Sequence, residues 1–539
     1  MTESTFIGGS DNPNAVPHPS AAAPVSEVVR GRIAIVIIVL MVLVADVAVY
    51  HAAGYFGPAV FFVVAVVLLF VGIPGRCVSR TSIILTVMLV IISWRLACNG
   101  GGMLVVAGLW LIHALVLALR RETPFFLETL VFAAQSIPGG YEFLSAINSQ
   151  LRERVLKPVD EGKSSRMLDI GLPVASGLVF GGIFVMANPD VLNWVSGGLA
   201  DMFRSIGNFF EHFSPFETAF WCAIAWITAG LLRPVIGGFL TDESDSTTSV
   251  WESGEAPMYN AFRNTLITVI TLFGVYLIFE FKPPWFQKLP EGFHYSGYAH
   301  QGAAWLTVAL ALATVMLSLI FRGLTLCDPR LGRLRKLAWI WSALNFVLAI
   351  AVYHRMLIYI DYNGMTRMRV VGLLGITSVV VGFALVMIKI SQLKNFLWLI
   401  RRQLWIVSVA AFVFVVLPVD SLIHRYNVRQ ILNGNPAPIV QITEHPLDNE
   451  ALPVLLPLCE AEDGRIRFGM QAMLLNRLDT LQIRHEEDEA AGWTAWQKST
   501  NDSRLALQAA EPDWTAFRSP QERNIAWREL KDFAFANWW

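Results

Sequence analysis

HRMLIYIDYNGMTRMR, residues 354–369, interrupts a chain that is otherwise rich in hydrocarbon. One apolar run leads into it from 337 and another leaves it from 370. The stretch carries His354, Arg355, Tyr359, Asp361, Tyr362 and Asn363, then a Gly-Met-Thr turn, then Arg367 and Arg369. Each flanking run has about 20 residues, enough to cross a bilayer core as a helix. Polar groups gathered between two such runs sit where a helix leaves the membrane, so their solvation cost is small. On this reading the stretch is a membrane boundary and the fold is a bundle of helices.

Composition supports the reading outward from there. Of 539 residues, 55% are hydrophobic and 15% are charged, against about 25% charged in a soluble domain. Mean hydropathy is +0.51. Apolar runs mark eleven candidate spans, at 33–53, 55–74, 81–98, 103–119, 168–188, 216–238, 262–281, 303–321, 337–358, 370–389 and 402–420. Segment 125–139 is apolar too, but Glu128, Gln135 and Pro138-Gly139-Gly140 interrupt it, so it reads as amphipathic or shallow. Lys and Arg favour one set of alternate loops roughly threefold, which places the N-terminus in the cytoplasm and the C-terminus outside. Residues 1–29 lack periodicity and read as a disordered tail. No signal peptide is evident. A net charge of −1 gives no basic field for nucleic acid. Cys77, Cys98, Cys222, Cys327 and Cys459 show neither disulfide nor zinc spacing.

The expected fold is therefore all-α: a polytopic transmembrane bundle of about 11 spans over 30–420, with a small helical extracytoplasmic domain over 421–539. That last region holds 12 Lys/Arg and 17 Asp/Glu, too many charges for a span, and Trp493, Trp496, Trp514, Trp527, Trp538 and Trp539. Ile466, Phe468, Met470, Met473, Leu474, Leu478 and Leu481 recur at helical spacing. Ser519-Pro520-Gln521-Glu522 reads as a capping box. Residues 189–213 read either as an interfacial helix or as a helix packed on the outer ends of the bundle. Loop 241–257, with five acids and no Lys or Arg, reads as a solvated linker, with a regulatory partner site as the alternative.

Two groups of residues could carry chemistry. Within the spans lie Asp46, Arg95 and His113. Intramembrane charges are costly and need partners, and the similar depths of Asp46 and Arg95 suggest an ion pair. His113 fits a hydrogen-bonded core histidine. The outer ends carry Tyr295, Tyr298 and His300 in one segment, then His354, Arg355, Tyr359, Asp361 and Arg369, then Arg425, Tyr426 and Asn427 after the last span. Arg and Tyr together can bind an anionic head group, or they can lock a cap by bonding to protein carboxylates and carbonyls. Both readings stay open from the sequence. No metal-ligand spacing occurs, and none of the phosphate-loop, zinc-protease, nucleophile-elbow or dinucleotide motifs is present. No cofactor is expected.

The outer segments resemble a family of bacterial inner-membrane proteins filed as domain of unknown function 4173, with its relative 4153. Tyr295-Ser296-Gly297-Tyr298-Ala299-His300-Gln301-Gly302 is similar to one family stretch, with His300 in place of the usual Arg. Arg355 and Tyr359, then Asn363-Gly364-Met365-Thr366-Arg367-Met368-Arg369, resemble a second, from which Asn363 and Met365 depart. Arg425-Tyr426-Asn427, followed by Asp448 and Ala451-Leu452-Pro453, is like a third. The resemblance covers about 170–460. It implies a multi-pass inner-membrane protein and assigns no catalytic residue. The expected function is non-enzymatic, in sensing, the envelope or assembly, with the lipid bilayer as partner and an anionic lipid or an envelope protein as further candidates. A transporter of a small solute or lipid and an outer-leaflet membrane enzyme are the alternatives.

Overall fold

In a computed structural model, the structure describes residues 25–73, 75–155, 214–232, 258–286, 295–321, 325, 328–392, 394, 396–514, 517 and 519–538, with side chains left out at 31–32, 142–150, 279–286, 295–307 and 513 among others. The described residues are helical, with no strand. They run as α1 (Val25–Ala45, continued by a π-turn at Asp46–Tyr50), α2 (Phe56–Gly72), α3 (Arg80–Cys98), α4 (Gly102–Leu119), α5 (Phe126–Val155), α6 (Pro215–Leu232), α7 (Tyr259–Phe286), α8 (Tyr295–Ile320), α9 (Leu331–Asn363), α10 (Arg367–Gln392) and α11 (Phe396–Val416). The C-terminal helices follow: α12 (Val419–Leu432), α13 (Ile439–Glu444), a 3-10 run at Asn449–Glu460, α14 (Gly464–Ala491), α15 (Lys498–Ala510) and α16 (Pro520–Trp538).

Eight of these helices are long and apolar enough to cross a membrane. Helix α2 and the Val308–Ile320 part of α8 are apolar but shorter. Every expected span except 168–188 falls on a helix; 168–188, the interfacial helix at 189–213 and loop 241–257 lie outside the described residues. Residues 25–29, assigned to the tail from sequence, begin α1. Segment 125–139 is the first half of the 30-residue α5, which continues through Pro138.

The chain falls into two compact units, Met1–Val42 with Gly139–Leu232, and Leu43–Pro138 with Arg233–Trp539. In the first, the rings of Tyr141 and Trp226 lie 6.2 Å apart. In the second, α2, α3 and α4 pack together, α7–α10 pack together, and α11 lies against α10, α3 and α4. Two apolar clusters fill the α7–α10 group: one around Leu317, Trp341, Phe383 and Val386, the other around Leu348, Val352, Ile360 and Ile376. Large apolar side chains also point outward, among them Val67, Val106, Leu272, Leu312 and Ile350, each more than half exposed.

The C-terminal helices bury a core of their own. Ile466, Met470, Met473, Leu474, Leu478 and Leu481 form the inner face of α14, as their spacing predicts, and pack with Leu455, Leu507 and Leu530. Each such Leu contributes about 1.5–3 kcal/mol by leaving water. Phe468 departs from the expected stripe and is 41% exposed. Trp514 is buried in this core and Trp527 and Trp538 pack against it. One bond of the expected capping box on α16 is present, with Glu522 N donating to Ser519 Oγ at 3.3 Å.

Candidate functional site: the polar cap at the ends of α9 and α10

The opening stretch is mostly helix rather than loop. Helix α9 continues to Asn363, one and a half turns beyond its expected end, and only Gly364, Met365 and Thr366 separate it from α10. Gly364 makes this corner possible. Its φ is +83°, and an added Cβ would lie 2.7 Å from Asn427 Oδ1 and 2.8 Å from Pro438 Cβ. Its N–H still closes the helix by donating to Ile360 O at 2.8 Å.

Helix α12 folds back against this corner. Asn427 is fully buried. Its Oδ1 accepts from Met365 N at 2.6 Å, and its Nδ2 donates to Met365 O at 3.0 Å. One amide side chain thus satisfies both backbone groups of Met365 in this half-buried turn. Arg369, also buried, donates to Gly364 O and lies 3.9 Å over the Tyr359 ring. Arg367 donates from Nε to Asp420 Oδ1 at 2.6 Å, and its Nη2 lies 3.0 Å from Asp448 Oδ2. Asp448 N in turn donates to Asp420 Oδ2 at 3.0 Å. Gln430 Nε2 donates to both Asp361 Oδ1 at 3.2 Å and Tyr426 OH at 3.0 Å. Asn435 Nδ2 donates to Asp361 O at 3.0 Å.

Electrostatics follow from this packing. Burial alone would raise the Asp420 carboxyl, but the hydrogen bonds from Arg367 and from Asp448 N–H outweigh it and hold it low. His424 is 3% exposed, and its Nδ1 has no hydrogen-bond partner among the described residues. Burial pushes its imidazole down to about 4; Asp420 opposes that shift, and Arg367 and His445 add to it. His424 is therefore neutral in ordinary conditions.

A second set of contacts ties the C-terminal helices to α2 and α3. Arg95 grips Glu450 with both Nη atoms, at 2.9 Å and 3.3 Å, and both side chains are largely buried. Gln497 donates to Leu96 O at 3.1 Å and accepts from Gly100 N at 2.6 Å. Ala53 N donates to Thr494 Oγ1 at 3.1 Å. Phe56 meets Trp493 and Trp496 edge-on, with centroids 6.0 Å and 5.4 Å away.

The expected residues thus sort as follows. Tyr359, Asp361, Arg369, Tyr426 and Asn427 meet in the cap. Arg355 is buried in the last turns of α9, beside half-buried His354. Arg425 is exposed on α12. Tyr295, Tyr298 and His300 open α8, and their side chains lie outside the described residues. The ion pair of Arg95 is with Glu450, which corrects the expected pairing with Asp46; Asp46 lies beside His51, Oδ1 to Nδ1 3.6 Å. The partner comes from 355 residues away in sequence, so matching depths within the spans did not reveal it. His113 is half-buried and bonds to Leu109 O of its own helix at 2.8 Å.

The pairing of Arg367 with Asp420 and Asp448 has no local signal in the sequence, and Asp420 lies in α12 rather than in the expected span 402–420. Further polar groups meet at the opposite end of α9 and α10. There Lys389, 1% exposed, donates to Ser318 O at 3.1 Å, and Arg401 pairs with Glu128 at 2.7 Å.

Eight long apolar helices among the described residues are compatible with an integral membrane protein. A family model for DUF4153, a domain of unknown function, matches residues 34–458, and the chain belongs to that family. The family shown is thus the relative, 4153, rather than 4173, and the match reaches far to the N-terminal side of the motifs that suggested it. No curated protein and no solved structure matches the chain.

Proposed function

We propose that this is a multi-pass protein of the bacterial inner membrane, with about eleven spans, its N-terminus cytoplasmic and its C-terminus outside. Its C-terminal helices form a platform fixed on the outer end of the bundle, and it works by binding, in sensing or assembly, rather than by turnover. The observation that carries this reading is the use made of the motif residues. Arg367 and Arg369 bond to protein carboxylates and a carbonyl, and Asn427 to the Met365 backbone. Arg is suited to that locking role by its planar fork. The outward apolar faces of α2, α4, α7, α8 and α9 support the membrane setting.

The test is limited proteolysis of sealed, inverted and right-side-out vesicles. Asn427→Ala and Asp420→Ala are expected to release the region after 416 as a protease-sensitive segment, in right-side-out vesicles or spheroplasts only. Unchanged protection in both variants sinks the latch, and cleavage only in inverted vesicles sinks the orientation.

A transporter is the second reading, favoured by one observation. Trp341 Nε1 and Asn345 Oδ1, buried one turn apart on α9, have no hydrogen-bond partner among the described residues. Orphaned polar atoms inside a bundle suit a hydrated path. Solute flux into proteoliposomes that Asn345→Leu abolishes would favour this reading over the platform.

A further inference from the structure

A cleft of about 390 Å³ opens where α14 ends, the Trp493–Ala495 turn follows and α15 begins. His485, Asp488, Glu489, Trp493, Trp496 and Arg504 are among its lining. Its position is set by contacts already described. Trp493 and Trp496 touch Phe56, the first residue of α2, and Gln497, also in the lining, bonds to the last turn of α3. The cleft therefore lies at the level where the apolar helices end. In a bilayer that is the level of the lipid headgroups.

Tryptophans at this level are ordinary, since indole is amphipathic. That reading leaves the charged lining unexplained. Trp493 is 50% and Trp496 44% exposed. Beside them lie two adjacent carboxylates. Glu489 is 3.2 Å from His485, while Asp488 has no ion pair among the described residues. Arg504 is held in place, with Nη1 donating to Gln508 Oε1 and Nη2 to Asn501 Oδ1, both at 3.1 Å. The lining thus combines indole faces and carboxylates, which attract an ammonium group, with a guanidinium and an imidazole, which attract a phosphate.

We propose that this cleft binds the phosphoethanolamine headgroup of a membrane phospholipid, its ammonium at Asp488, Glu489 and the two indoles, its phosphate at Arg504 and His485. A primary ammonium has three N–H donors for the carboxylates. A headgroup ending in glycerol has no charge to offer them. The assignment rests on the membrane reading above.

The test uses the full chain purified in detergent. Short-chain phosphatidylethanolamine and phosphatidylglycerol are titrated separately, with binding read by native mass spectrometry. Phosphatidylethanolamine is expected to bind about tenfold tighter, about 1.4 kcal/mol. Asp488→Asn with Glu489→Gln should erase that preference while leaving the lipid-free melting temperature unchanged; Trp496→Ala should weaken it. Equal binding of the two lipids by the wild type overturns the proposal, as does a preference that survives in the double variant. Free phosphoethanolamine that competes as well as the lipid would move the ligand from bilayer to solution and overturn the lipid assignment. Carbonate extraction of the source membranes separates the two readings. Release of the protein by carbonate overturns the membrane setting and this site together. Retention with no headgroup preference overturns the site alone.

Discussion

Gly364 and Asn427 show how a single turn depends on single atoms. A residue with a side chain at Gly364 would meet both a backbone region reserved for glycine and the Asn427 amide. The conformational part alone costs about 1–3 kcal/mol. Gly364→Ala should therefore lower the melting temperature of the purified protein clearly, and a variant that melts with the wild type would contradict the geometry. His424 sets a different kind of dependence. Its folded pKa, about 4, lies below the ordinary value near 6.5. The unfolded chain thus takes up a proton as pH falls below about 6.5, while the folded chain resists until about 4. The His424 contribution should fall across that window, by at most about 3 kcal/mol, and level off below it. The low carboxyl of Asp420 adds its own loss only further down, below the usual carboxylate range near 4. Melting temperature followed from pH 7 to pH 4 checks this; His424→Gln should flatten the upper part of the profile.

At the scale of elements, the Arg95–Glu450 pair joins α3 to the 3-10 run before α14. Both groups are mostly buried, so removing one leaves a charge without its partner, at a cost of about 3–5 kcal/mol. Arg95→Met and Glu450→Gln should each destabilise strongly, and the double change should cost much less than their sum. Additive losses in a denaturation series would show that the pair is not coupled. The same pair marks what was legible in the sequence. Hydrophobic period placed helices over every expected span whose residues are described, and it gave the inner face of α14 correctly at Ile466, Met470 and Leu474. Period reports which face of a helix is apolar, not which distant segment meets it. Arg95 looked across the bundle to Asp46, because nothing local announces that Glu450 folds back to it. Residues 359–363 fall beyond the expected span 337–358, because polar side chains imply an exit from the bilayer. A helix can leave hydrocarbon without ending, and α9 does. The cap residues Tyr359, Arg369 and Asn427 were visible as a polar-aromatic mixture, whereas their bonding to the Met365 turn needed three dimensions.

For the whole molecule, the decisive quantity is orientation. On the proposed count of eleven spans with a cytoplasmic N-terminus, the excess of Lys and Arg on alternate loops predicts Trp539 outside the cytoplasm. A phosphatase fused after Trp539 should be active and a fluorescent protein that matures only in the cytoplasm should be dark. The reverse pattern would require an even number of spans, or an N-terminus outside, and would put the platform on the other face. Family membership reaches from residue 34 to 458, so it takes in the α9–α10 corner, Asp420, Asn427, Asp448 and Glu450, and stops before α14.

The Met365 turn has a consequence in time as well as in space. A ribosome makes Gly364, Met365 and Arg367 well before Asp420, Asn427 and Asp448, which satisfy them. Until those residues emerge, the corner between α9 and α10 carries an unanswered amide, carbonyl and guanidinium. A nascent chain cut short before Asp420 would leave all of these groups without those partners. The cap is therefore complete only when the chain has been made past Asp448.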